Sequence, residues 1–122
     1  MVIALTPKKE RRFELEAERG QPDATVFILR TLTPDELAEV VDSTTSLDKA
    51  TGGMRFHHTR AALLALRYAL VGWERFLDER GEEVRFEADR LDAMIARIPE
   101  DARMEIARAA RFGSEVTVAE GE

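Results

Sequence analysis

"LVGWERFLDERGEEVRF", residues 70–86, sets a glycine and the chain's single tryptophan where the preceding residues predict one amphipathic helix. Leu63, Leu66, Leu70, Trp73 and Leu77 recur at spacings of three and four, and Leu64, Val71 and Phe76 widen the stripe. This period predicts a long core helix that begins near His57 or Thr59 and ends near Asp78. Gly72 costs about 1 kcal/mol against alanine inside such a helix. A close approach of another backbone, that of an N-terminal hairpin, would give the glycine a reason. Trp73 then covers the end of the core, and its indole N–H needs a partner. Asp78 and Gly81 are expected to stop the helix. Val84 and Phe86 return to the same apolar end, so the pattern survives the turn.

Upstream, "RRFELEA" (11–17) alternates, with Phe13, Leu15 and Ala17 on one face and Glu14 and Glu16 on the other. That is the period of a half-buried strand. "RGQPDA" (19–24) supplies turn residues, and "TVFILRTL" (25–32) is rich in β-branched and aromatic side chains. The two runs predict an antiparallel hairpin with a loop of about five or six residues. In "TLTPDELAEVVDS" (31–43), Thr33 can cap a helix, Pro34 suits its first position and Glu36 completes a capping box. "TTSLDKATGGMR" (44–55) is polar with paired glycines, and reads as a loop and the likeliest place for motion. Downstream, Leu91, Met94, Ile95 and Ile98 give another helical pattern. Pro99 can open one more helix, carrying Met104, Ile106, Ala109, Ala110 and Phe112.

These readings give an α+β fold: an N-terminal antiparallel β-hairpin followed by about four α-helices. A single compact domain is expected over 1–112, and a disordered acidic tail over 113–122. The chain has 122 residues, 44% hydrophobic and 34% charged, with a net charge of −6. That charge argues against nucleic acid as a general partner, since phosphate neutralisation needs a basic footprint. It equally disfavours an anionic membrane surface. The run "AALLALRYALVGW" (61–73) is too short to span a bilayer. Without cysteine, thiol nucleophiles and thiolate-held zinc are excluded. His57 and His58 are the only histidines, and adjacent helical positions diverge too far to chelate one ion. No nucleophile elbow, phosphate loop or spaced histidine–nucleophile pair is visible. The expectation is a cytoplasmic, non-catalytic protein with no cofactor and no metal.

Leu70, Val71, Gly72, Trp73, Glu74, Phe76, Asp78, Gly81, Val84 and Phe86 form a spaced motif. It resembles one found in tail assembly chaperones of long-tailed bacteriophages and related phage tail-cluster proteins, where it closes a helix and turns into a short extended piece. "RFELEAERGQPDATVFILRTLTPDELAEV" (12–40) is similar to their hairpin and following helix, and the likeness covers roughly residues 3–98. The resemblance implies a protein that binds the tape measure protein in the host cytoplasm and keeps it soluble while the tail tube polymerises. The tail tube protein is a second candidate partner, and a homo-oligomer stays open. Gly72, Trp73, Phe76, Asp78, Gly81, Val84 and Phe86 would act mainly in structure. The partner-binding residues expected are Leu47, Met54 and Phe56, three apolar side chains in a polar loop. Two alternatives stand beside this: a small structural tail or connector protein of the virion, and a cytoplasmic regulatory adaptor or antitoxin.

Overall fold

Strands β1 (Glu10–Glu14) and β2 (Val26–Arg30) pair antiparallel, Glu10 opposite Arg30 and Glu14 opposite Val26, as the alternation predicts. The computed structural model describes residues 1–4, 9–47 and 50–120, with the side chains of Phe56 and of 113–120 outside the described residues. The connection between the strands, 15–25, is longer than expected. Successive turns fill it, and Gly20 takes φ 86°. The strand faces differ sharply. Phe13, Phe27 and Leu29 look into the core, whereas Arg12 and Ile28 lie on the outer face.

Helix α1 (Pro34–Asp42) begins where the sequence placed it. Thr33 Oγ1 accepts the Glu36 N–H at 3.2 Å, and Glu36 Oε1 accepts the Thr33 N–H at 2.9 Å, which is the reciprocal capping box. The Glu36 carboxylate also takes both arms of Arg30, at 2.8 and 2.6 Å, and so ties α1 to the end of β2. Thr33→Ala is expected to cost roughly 0.5–2 kcal/mol in urea unfolding, because one orphan helix N–H loses its acceptor. The Arg30 guanidinium, ahead of the Thr33 bonds, pulls the Glu36 pKa down from 4.5 to about 2. A depressed folded-state pKa stabilises above the unfolded value and loses that stabilisation as pH falls. Stability should therefore decline from pH 4.5 towards about 2 through this group. Glu36→Gln should flatten that part of the pH profile.

The long helix of the sequence reading is interrupted. Helix α2 runs only from His58 to Ala69, and the chain passes straight into strand β5 (Leu70–Glu74). Between α1 and α2 lie two short strands, β3 (Thr45–Leu47) and β4 (Met54–Phe56). Strand β5 joins the free edge of β2, giving a three-stranded antiparallel sheet of order β1-β2-β5. Leu70 still donates its N–H to Leu66 O but has turned to φ −75°, ψ 117°. Val71 and Trp73 favour strands and Gly72 disfavours helix, and β2 offers backbone partners there.

A bulge explains why the stripe looked helical. Leu29 pairs with Leu70 and Ile28 with Gly72, leaving Val71 as the extra residue. In a regular strand, residues three apart face opposite sides. Here the extra residue brings both Leu70 (3% exposed) and Trp73 (8%) to the core face. Gly72 does lie against the hairpin, but not because a side chain is excluded. A Cβ there would meet Ile28 Cδ1 at 3.6 Å, an ordinary contact. On the outer face Arg12 of β1 reaches across β2 to Glu74 of β5, at 2.7 and 2.8 Å.

Asp78 and Gly81 build a turn rather than end a helix. Asp78 Oδ1 accepts the N–H groups of Arg80 (2.8 Å) and Glu82 (3.0 Å), and Gly81 takes φ 78°. The turn folds Val84 back so that its N–H meets Phe76 O at 2.7 Å. A short 3-10 turn (Ala88–Arg90), α3 (Leu91–Ala96) and α4 (Glu100–Glu120) complete the chain, with Pro99 immediately before α4. The expectation for 113–122 falls largely on residues whose side chains lie outside the description. Phe27, Leu29, Val40, Leu66, Ile98 and Ile106 are the largest of the fully buried side chains in the core. It is closed by α2 and α4 against the inner face of the sheet.

Candidate partner-binding surface

The segment 44–55, read as a loop, holds β3 and the first two residues of β4, which form a second small sheet. Thr45, Ser46 and Leu47 pair with Phe56, Arg55 and Met54. Three-residue strands with polar neighbours are too short for alternation to announce them. Leu47 and Met54 form the last pair of the ladder, so their side chains are cross-strand neighbours. They are 64% and 59% exposed. The backbone of Phe56 belongs to β4, while its side chain lies outside the described residues. Two of the three expected partner-binding side chains are thus placed together on one exposed hairpin.

The root of this hairpin is fixed. His57 N–H donates to Thr44 O at 2.6 Å, and Ser46 Oγ lies 2.8 Å from His57 Nε2. The sequence showed no histidine paired with a spaced nucleophile, and the hairpin supplies the contact that spacing hid. A hydrolase further needs a group orienting Nδ1 and paired donors for an oxyanion. Among the described residues His57 Nδ1 has no hydrogen-bonded partner. The pair pins β3 to the start of α2. His58, the first residue of α2, is exposed. Among the described residues, no group of three His, Asp or Glu side chains is placed to hold a metal. None of the described helices is long and apolar enough to cross a membrane.

Beside the hairpin root opens a groove of about 500 Å³ between α1, α2 and α4, with Thr44 and His58 on its edge. Its floor is small: Ala61, Ala62 and Ala65 of α2, Ala107 of α4, and Val40 of α1. Met104 (37% exposed) and Phe112 (46%) stand on its rim. The polar lining is graded along α4. Glu105, with Glu16 beside it, lies towards the helix start, and Arg108 and Arg111 lie further on. Glu105 Oε2 accepts the Glu16 N–H at 2.7 Å. The Arg111 guanidinium sits over the Phe112 ring at 5.5 Å, and its Nε is buried without an acceptor. The sequence reading missed this groove. Its signal was alanine where α2 and α4 could have carried leucine, in "RAALLA" (60–65) and "IARAARF" (106–112).

The motif residues lie elsewhere, and none lines the groove. Trp73 meets Phe76, Phe86 and Phe27 edge-on at 4.7, 5.0 and 6.4 Å between ring centres. Its Nε1–H donates to Val84 O at 2.7 Å. Val84 and Phe86 are packed against the core beside it. Gly72, Asp78 and Gly81 shape the backbone around this aromatic cluster. No protein-family model, curated protein or solved structure matches the chain.

Proposed function

We propose that this protein is a non-catalytic tail assembly chaperone that binds the tape measure protein in the host cytoplasm and holds it soluble. The observation that carries the reading is the exposed Leu47–Met54 pair, standing on a pinned hairpin beside an alanine-floored groove. A long helical client with apolar stripes needs such a surface, and it needs an acidic, soluble exterior around it. The chain's net charge of −6 supplies the second. The motif from Leu70 to Phe86 supports the reading through the resemblance it carries, while its side chains serve the fold.

Co-expression with the tape measure protein should raise that protein's soluble yield and recover the complex in a pull-down that survives moderate salt. Charge substitutions at the hairpin, Leu47→Glu with Met54→Glu, should abolish recovery and leave the melting curve unchanged. Undiminished recovery would remove the hairpin from the contact. No gain in client solubility would end the chaperone reading. A second reading, a structural tail component, is favoured by one feature: among the described residues the β3–β4 sheet has two strands, the size of sheet that strand addition extends. Mass spectrometry of purified particles separates the two. The chaperone is absent or scarce there, and a component is stoichiometric.

A further inference from the structure

We propose that the outer edge of β1 pairs antiparallel with the same edge of a second copy, Glu10 of each opposite Arg12 of the other and the two-fold axis at Arg11. The two three-stranded sheets then become one of six strands. This goes beyond the chaperone reading and needs no client. Strand β1 ends the order β1-β2-β5, and among the described residues no strand pairs with its other side. Lys9 O accepts the Thr31 N–H at 2.8 Å, in register with the β1–β2 ladder. In an antiparallel pair, a residue bonded to the one directly opposite turns both backbone groups to the partner, and its neighbours turn theirs away. Arg11 and Phe13 are in step with Lys9 and face β2, so Glu10, Arg12 and Glu14 present N–H and C=O at the edge. The next N–H in that row, on Glu16, is taken by Glu105 Oε2 at 2.7 Å. The open ladder stops there.

An edge alone does not name its occupant, and charged side chains on edge strands commonly repel pairing. Here the charges select one register for a second copy. A two-fold pairing centred on Arg12 sets Glu10 against Glu14 twice and Arg12 against itself, all like charges. Centred on Phe13, it carries Glu10 to Glu16, whose N–H is already bound. Centred on Arg11, it sets Glu10 against Arg12 twice, and directly opposed opposite charges attract. Both side chains are exposed on the outer face of the sheet, where Arg12 already holds Glu74 at 2.7 and 2.8 Å. Glu10 of the second copy extends that pair into a row of carboxylate, guanidinium and carboxylate. On the inner face Arg11 comes opposite Arg11, but each guanidinium donates to the Ala109 carbonyl of its own α4. The complementarity is thus outside and the like charges are held apart.

A ladder of about five residues a side is small beside stable interfaces of about 1,200 Å² or more, so the dimer exchanges with monomer. Sedimentation velocity of the full chain, from about 10 μM to about 1 mM, should show a dimer that grows with concentration and recedes with added salt. Glu10→Arg alone and Arg12→Glu alone should each weaken association at least about tenfold, since each makes both pairs like-charged. Mixed in equal amounts, the two variants should associate as the parent does, because every arginine then faces a glutamate. Loss of fold gives no such rescue. The chain has no cysteine, so Arg11→Cys sets a single thiol on the axis. Mild oxidation should link it into a dimer faster than Arg12→Cys, whose thiols lie apart in this register. Should Arg12→Glu fail to fold, the two cysteine variants decide. A parent that stays monomeric to about 1 mM, folded variants that do not associate on mixing, or faster linking through Arg12→Cys overturns the proposal.

Discussion

Trp73→Ala should lower the unfolding free energy by about 3–5 kcal/mol, the range for removing a large aromatic from a packed core. Small domains are held by about 5–15 kcal/mol in total, so a protein near the lower end of that range would lose most of its stability. The size of the effect follows from what converges on this side chain. Trp73 is 8% exposed and packs edge-on against Phe27, Phe76 and Phe86. These rings come from β2, the segment just after β5 and the returning segment. Removing the indole therefore separates three pieces of chain at once. Trp73→Phe tests the polar part alone, since it keeps an aromatic ring and leaves the Val84 carbonyl without its N–H donor. It should cost about 1–3 kcal/mol from the unmet acceptor, plus a packing term for the smaller ring. Thermal or urea unfolding with both variants checks the ordering. A Trp73→Ala protein that melts like the parent would show that the cluster is not the hinge of the fold.

The burial of Trp73, and its position against Val84 and Phe86, could be read from the sequence, yet the element that carries it could not. Thr33, Pro34 and Glu36 specify a helix start within four consecutive residues, so that junction was legible in full. The β1–β2 hairpin was legible because Phe13 and Leu15 alternate with glutamates and the "VFIL" run is rich in β-branched and aromatic residues. Strand β5 depends instead on a partner distant in sequence, the open edge of β2. Its single bulge at Val71 reproduces the spacing of three that marks a helix face. Periodicity alone does not separate the two cases. Leu47 and Met54 were singled out for being apolar in a polar stretch, and their pairing across β3 and β4 became visible only with the backbone. The groove was hidden for the opposite reason. Alanines at helix positions read as ordinary helix formers, and a concavity forms only where two such faces meet.

Leu66 and Leu77 belong to the same leucine stripe, and they separate the observed fold from a continuous helix more cleanly than any other pair. On one uninterrupted helix the two residues, at alternating spacings of three and four, share a buried face and should be comparably costly to truncate. With α2 ending at Ala69 they part company. Leu66 is 0% exposed, within the cluster that joins α2 to the sheet and α4. Leu77 is 55% exposed and makes only an isolated bridge with Glu83. Leu66→Ala is therefore expected to cost about 2–5 kcal/mol, from lost transfer energy and the cavity left behind. Leu77→Ala should stay within about 0.5 kcal/mol of the parent, as exposed substitutions usually do. Urea unfolding of both variants measures the difference, with the slope of the transition checked so that the comparison concerns the native state. A Leu77→Ala cost matching that of Leu66→Ala would mean that the helix runs on past Ala69. The third strand, the bulge at Val71 and the packing assigned to Trp73 would then all have to be redrawn, because each depends on the chain leaving the helix at Leu70.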